Sequence, residues 1–500
     1  MTVSGIGGSS SLSLQAIAQM RSQLDDLQRQ LGSGKKSETY AGLGLDRGLT
    51  VGLRSHLSAI SGYQDTITQA GVRLSLMQTA LTQFTSLSQQ AKGAILQSQY
   101  ALRGGSQTDD QTNAKSTLDS LIGMLNTSAD GRYLFSGRTV EQSPVETTDR
   151  ILNGDGSEAG LKQLISERRQ ADLGTSGLGR LVVGAPGGSV TTLSEDAVSP
   201  FGFKLAGITT TIIGALVSGA GSVPPAINFG FGPTNPSAGD TVKFTFNLPD
   251  GSSRDLTLTA TNSSPPGPGQ FTIGVDSTAT ATNFQAALTQ SLGTLANTEL
   301  VAASAIAAGN DFFNTDAAHP PQRVNGPPFG SATALIDGTP NNTMAWYQGD
   351  NGTDDPRMTA VARADQSLTV DYGARANEQG LRISVQNLAV FAAMQFSNSD
   401  PNGEAQYSAL KQRIGAALSG GANQQSVDDI AGQLAGAQVA LNNAKDRHNQ
   451  TNTTLQNLLQ SVEGAPTEDV AAQILSLQTS LQATLQTTAM LLQTTILKYL

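Results

Sequence analysis

The chain has 500 residues and a net charge of −10, with 14% charged residues against 38% hydrophobic ones. That length points to two or three domains. No run of Lys and Arg is present to meet a row of phosphates, which argues against a nucleic-acid partner. The chain has no cysteine, so disulfides and thiolate metal sites are excluded, and the absence suits a chain exported unfolded.

Residues 1–13 are rich in Gly and Ser but lack the basic and apolar regions of a Sec signal peptide. Leu14, Ile17, Met20 or Arg21, Leu24, Leu27 and Leu31 follow at spacings of three and four, the seam of a coiled coil. Gly32 and Gly34 are expected to stop this helix, and residues 40–52 read as a Gly-rich link. A second helix carries Ile60, Tyr63, Ile67, Ala70, Leu74, Met77, Leu81 and Phe84 in regular alternation. It is expected to run on to Leu102, with Gly104 and Gly105 ending it. A third helix covers residues 111–126, with Leu118, Leu121, Ile122 and Leu125 on one side.

The middle, residues 132–395, reads as β-rich. Residues 240–248 alternate apolar and polar, Pro249, Asp250 and Gly251 signal a turn, and residues 254–260 alternate again. Residues 271–275, 344–347, 359–363 and 368–372 fit further strands, and residues 280–295 a short helix. Residues 264–269 and 319–330 are Pro/Gly-rich loops. Residues 208–217 are apolar but too short to cross a bilayer, so no membrane insertion is expected. Helix resumes near Asn377.

Toward the C-terminus, Ile430, Leu434, Ala437, Leu441, Ala444, His448, Thr451, Leu455, Leu458 and Val462 hold a heptad. Residues 464–468 break it, with Pro466 placed to open a new helix. That helix carries Val470, Ile474, Leu477, Leu481, Leu485, Leu491, Leu492 and Ile496. A helix with one narrow apolar stripe cannot bury it alone. The expected fold class is therefore α+β. An elongated antiparallel helical bundle, or coiled coil, of N- and C-terminal segments carries an inserted β-rich central domain. The boundaries fall at residues 1–135, 136–395 and 396–500, with residues 209–340 as an added part of the centre, which could form two subdomains.

Sites of chemistry are sparse. His56, His319 and His448 are far apart and lack metal-ligand spacing, and His448 falls on a heptad core position as a structural residue. Asp428 and Asp429 suit the start of a helix, whereas Asp109 with Asp110 and Asp354 with Asp355 lie in turns. Gly42, Gly44 and Gly48 have no preceding strand and no following Gly-Lys-Ser/Thr, so they are no phosphate loop. No catalytic, metal or cofactor residue is expected, and the chain reads as a non-enzyme.

The paired helical ends, the missing cysteines and the β-rich centre resemble the flagellin superfamily. Residues 31–36 (LGSGKK) are similar to the stretch that closes the first helix in that family, whereas LDRG at residues 45–48 departs from its usual D-N/D-P-A. Within residues 130–144 (DGRYLFSGRTVEQSP), Gly131, Tyr133, Phe135, Ser136, Gly137, Thr139 and Pro144 match the motif of hook–filament junction proteins, the hook-associated protein 3 type. The resemblance implies a secreted subunit of the bacterial flagellum, outside the cell at the hook–filament junction. It implies export by the flagellar type III apparatus with an export chaperone. It also implies a ring of copies between a neighbouring hook-associated protein and flagellin, with terminal helices inward and the centre outward. Leu14, Ile17, Leu24, Leu27, Leu31, Leu477, Leu481, Leu485 and Leu492 are the expected subunit contacts. A filament flagellin is the alternative, and a secreted helical adhesin or type III translocator a second one.

Overall fold

The computed structural model describes residues 6–496 apart from Gly104, Ala220 and residues 316–318 and 422–423, with side chains placed for residues 11–490 and 493 among these. In chain order, α1 (Ile6–Ser33) is followed by a 3-10 segment (Tyr40–Asp46), α2 (Arg47–Gln97) and α3 (Asp109–Leu125). The short pair β1 (Ser128–Ala129) and β2 (Arg132–Tyr133) leads to α4 (Thr148–Asn153) and α5 (Leu161–Leu173). Next come β3 (Leu181–Val183), β4 (Val190–Glu195), β5 (Lys204–Thr210), β6 (Leu216–Ser218), β7 (Ala226–Gly230), β8 (Thr241–Asn247), β9 (Ser253–Thr261) and β10 (Gln270–Thr272). α6 (Ser277–Leu295) runs through a π turn (Ala296–Leu300) into α7 (Val301–Phe313). After β11 (Gln322–Val324), β12 (Leu335–Asp337), β13 (Val361–Arg363) and β14 (Thr369–Asp371), the chain ends in α8 (Gln379–Ala393), α9 (Gly403–Ala417), α10 (Val427–Glu463) and α11 (Thr467–Ile496). The fold is α+β, about 53% helical, with small sheets between long terminal helices. No described helix is long and apolar enough to cross a membrane.

The chain divides into two compact units, one of Met1–Ala70, Ala362–Val370 and Val439–Leu500, the other of Gly71–Val361 and Asp371–Gln438. In the first, α2 and α10 run antiparallel: Arg54 meets Glu463, and Gln64 meets Asn449. Leu53, Ile60, Ile67, Leu441 and Ala444 are buried along this seam. His448 is buried too, stacked on Tyr63 at 5.6 Å, with Nε2 2.7 Å from the Ala364 carbonyl. Beyond it the heptad drifts out of the seam, since Thr451 and Leu458 are exposed.

In the second unit, two four-stranded sheets, ordered β3-β4-β7-β6 and β10-β9-β8-β5, share one core with α6. Phe203, Phe229, Phe231, Phe244, Phe246, Phe271 and Phe284 fill it. The alternation of residues 240–248 and 254–260 becomes the hairpin β8–β9, register Val242↔Leu258 to Phe246↔Arg254. Inward Val242, Phe244, Phe246 and Leu258 are buried, as a half-buried strand requires.

Several boundaries differ from the sequence expectation. α1 starts at Ile6, so the Gly/Ser-rich stretch from there is helical, and α2 starts at Arg47, inside the expected link. α2 stops at Gln97, before the glycines, where Ser98 donates through N and Oγ to the Ile95 carbonyl. Residues 344–347 form no strand, only an isolated bridge from Tyr347 to Val145. The centre holds helices that alternation did not announce, α5 and α7 above all. α7 is apolar nearly all round, so it has no stripe to detect, and it is buried nearly all round as well.

Candidate assembly surface

α1 and α11 lie side by side, antiparallel: Leu24 and Leu27 pack on Ala465, Val470 and Ile474. Their roots are tied together. Lys36 N donates to the Glu463 carbonyl at 2.7 Å, Ala465 N donates to the Gly34 carbonyl at 3.0 Å, and Lys35 bridges Gly464. The Lys36 ammonium reaches the Val462 carbonyl at 2.9 Å, satisfying the exposed end of α10. Arg54 grips Glu463 through Nε and Nη2 at 2.9 and 2.7 Å. That hydrogen bond holds the Glu463 carboxyl below its ordinary range. The residues expected to stop α1 and to break the heptad after α10 thus meet each other, Gly34 with Ala465 and Lys35 with Gly464. Gly464 is needed there because a Cβ would collide with the Gln460 carbonyl.

A pair of helices covers only one face of each partner. Ile17 is buried, and Leu24, Leu27, Leu477 and Leu481 are half-buried. Leu14 remains 63% exposed, Leu31 42% and Leu485 41%; Leu12, Leu475 and Met490, outside the expected set, are 68%, 65% and 61% exposed. The Leu492 side chain lies outside the described residues.

Charge separates the two helices. α1 carries Arg21, Asp25, Asp26 and Arg29, whereas residues 470–496 contain no Asp, Glu, Lys or Arg. The polar face of α11 is Gln, Ser and Thr. Thr479, Thr484, Thr487 and Thr488 donate to the carbonyls of Leu475, Ser480, Ala483 and Thr484 in their own helix. Burying such a face strands neither a charge nor those hydroxyl donors.

The sequence motif forms a separate feature in the second unit. Asp130 and Gly131, both with positive φ (51° and 71°), make the tight turn between β1 and β2. Tyr133 is half-buried, and Phe135 and Ser136 are fully buried. Ser136 Oγ donates to the Tyr133 carbonyl at 3.1 Å, Gly137 N to Ala374 O at 3.0 Å, and Ala376 N to Phe135 O at 2.8 Å. Gly137 has φ 63°, and a Cβ there would sit 2.6 Å from Asp350 Cβ. Arg138, next in the chain, and Arg375 converge on Asp350 and Asp354; Arg375 reaches them at 2.9 and 2.6 Å. Hydrogen bonds from Arg138 and Arg375 hold the Asp354 carboxyl well below the usual carboxylate range. Burial pushes Asp350 up, but the Gly352 N–H and Arg375 outweigh it. Sequence spacing missed this cluster, because Arg138 and Asp354 are 216 positions apart.

Two members of the adjacent Asp pairs stabilise local turns. Asp429 accepts from Ser426 N and Oγ, and Asp355 from Arg357 N. Among the described residues no group of three His, Cys, Asp or Glu side chains is arranged to hold a metal.

Residues 8–139 match the family model of the bacterial flagellin N-terminal helical region. No curated protein matches the chain. The family match spans about a quarter of the chain and likens its N-terminal helices to those of bacterial flagellins.

Proposed function

We propose that this chain is the flagellar subunit that joins hook to filament. It would be exported by the type III apparatus with an export chaperone and assembled as a ring between a neighbouring hook-associated protein and flagellin. The observation that carries the assembly part is α11, a helix without charge beyond Asp469, whose Leu475, Leu485 and Met490 face solvent in the single copy. An isolated subunit gains nothing from such a face, whereas a polymer interior accepts it. We place Leu14, Ile17, Leu24, Leu27, Leu31, Leu477, Leu481, Leu485 and Leu492 in the contacts between copies.

The junction position rests on Gly131, Tyr133, Phe135, Ser136 and Gly137, the stretch similar to junction proteins. A filament subunit is the second reading, favoured by the match to the flagellin N-terminal helical region. Deleting the gene and viewing flagella by electron microscopy separates the two. The junction reading expects hooks without filaments and flagellin shed into the medium. Copy number in purified flagella checks the same point, since a ring takes few copies and a filament thousands. Normal flagella in the deletion strain would overturn both readings.

A further inference from the structure

With no cysteine in the chain, every sulfur is the thioether of a methionine, eight in all. The fold sorts them by access. Met77, Met344 and Met394 are buried, and Met20 and Met124 are half-buried. Among the described residues Met358 and Met490 are the exposed ones, at 55% and 61%. Met358 lies in the 3-10 segment Pro356–Thr359 of the second unit, and Met490 near the end of α11 in the first. An oxidant that meets the folded chain therefore finds an open sulfur on each unit.

The surroundings of these two sulfurs differ. Met358 follows Asp354, Asp355 and Arg357 in a charged stretch. On α11, Val470, Ile474, Leu477 and Leu481 mark the side turned to α1, and each is buried or half-buried. At 3.6 residues per turn, Leu475, Ala483 and Met490 come round to the far side, and all three are exposed. That side is free of charge, because residues 470–496 contain no Asp, Glu, Lys or Arg. The hydroxyls of Thr479 and Thr487 already donate to the Leu475 and Ala483 carbonyls of the same helix.

We propose that Met490 is an oxidation-sensitive residue of the assembly face, and that converting its thioether to the sulfoxide keeps α11 out of contacts between copies. The inference rests on the proposed self-assembly through α11. The oxidant is a peroxide. The Met490 sulfur attacks one peroxide oxygen, an S–O bond forms and the O–O bond breaks. The proton of the transferred oxygen passes to the departing hydroxide. Sulfur is oxidised, and hydrogen peroxide is reduced to water. The product replaces a flexible apolar side chain by a polar one with a strong acceptor oxygen. Burying that oxygen against an uncharged helix face without a donor is unfavourable. The effect on an association constant is about fivefold to a hundredfold. A copy already in place has its sulfur covered, so oxidation acts on subunits that are still single.

The full-length chain is treated with hydrogen peroxide as single copies, and oxygen gain at each methionine is read by peptide mass spectrometry. Met358 and Met490 are expected to react ahead of the other described methionines. Sedimentation then reads assembly. The oxidised chain should need at least about fivefold more protein to assemble, and methionine sulfoxide reductase should reverse the change. Met490→Leu should stay competent after peroxide, whereas Met358→Leu should lose assembly as the unaltered chain does. A second measurement needs no substitution: in assembled protein Met490 should resist peroxide while Met358 still reacts. Equal reactivity of Met490 in single and assembled chains would overturn the proposal. So would unchanged assembly of chains carrying the Met490 sulfoxide, or loss of assembly in peroxide-treated Met490→Leu. Helix lost from the circular dichroism of the oxidised chain would overturn it too, since the sulfoxide would then act on the fold. All these outcomes leave self-assembly standing. Untreated chains that never assemble would sink self-assembly, and this inference with it.

Discussion

α10 and α11 carry the same sequence signal and meet opposite fates. Both repeat apolar residues at spacings of three and four. In α10, Ile430, Leu434, Leu441 and Ala444 are fully buried. Among the described side chains of α11 only Val470 and Ile474 are buried, while Leu475, Leu485 and Met490 are exposed. The stripe reports that a helix has something to bury, and the number of neighbours decides whether it succeeds. Charge placement carries the further information. α10 keeps Lys445, Asp446 and Arg447 and so retains a face suited to water, whereas α11 carries no charge after Asp469.

This contrast can be broken most severely by removing α11. Deleting residues 467–500 is expected to abolish assembly while leaving a soluble, folded monomer. Sedimentation and far-ultraviolet circular dichroism check it, and a loss of helix beyond the deleted segment would mean that α11 stabilises the monomer instead. Next in size, Leu441→Ala opens a cavity in the closed seam and is expected to destabilise the subunit by about 2–5 kcal/mol in denaturant unfolding. Gly464→Ala forces a methyl against the Gln460 carbonyl at the root of α11 and is expected to cost about 1–3 kcal/mol. By contrast, Leu485→Ala should change monomer stability by less than about 0.5 kcal/mol yet weaken assembly. Equal effects of Leu441→Ala and Leu485→Ala on the monomer would erase the distinction between the seams.

The smallest effect is the Arg54–Glu463 pair. The Glu463 carboxyl has a lowered pKa in the fold, chiefly through the hydrogen bond from Arg54. Its contribution is therefore present above the ordinary glutamate value of about 4.3 and lost as pH falls through the depressed folded value. Because Arg54 is 46% exposed, Arg54→Met should cost less than about 1 kcal/mol. The difference in thermal midpoint between the two proteins should be present at neutral pH and vanish in acid.

Much of the fold was legible because its signals are local. The α2 seam from Ile60 to Phe84 is buried or half-buried as its spacing requires, and the Pro249, Asp250, Gly251 turn set the β8–β9 hairpin. Local signals also misled. Gly7 and Gly8 sit inside α1 despite their low helix propensity, since they follow Ile6 at the start of a helix that packs on α11. Among the candidate site residues, the sequence marked the apolar stripes and the turn at Gly137. It could not mark which leucines stay open.

The sequence by itself determined the long amphipathic ends, the alternating strands, the absence of cysteine and the charge-free runs at residues 205–239 and 470–496, because each depends on residue order alone. Only the tertiary structure decided which stripes are closed, that residues 34–36 tie to residues 463–465, and that Arg138 and Arg375 share Asp350 and Asp354. The physical reason is that burial, edge pairing and ion pairing are set by groups brought together from hundreds of positions apart, and no periodicity along the chain encodes that meeting.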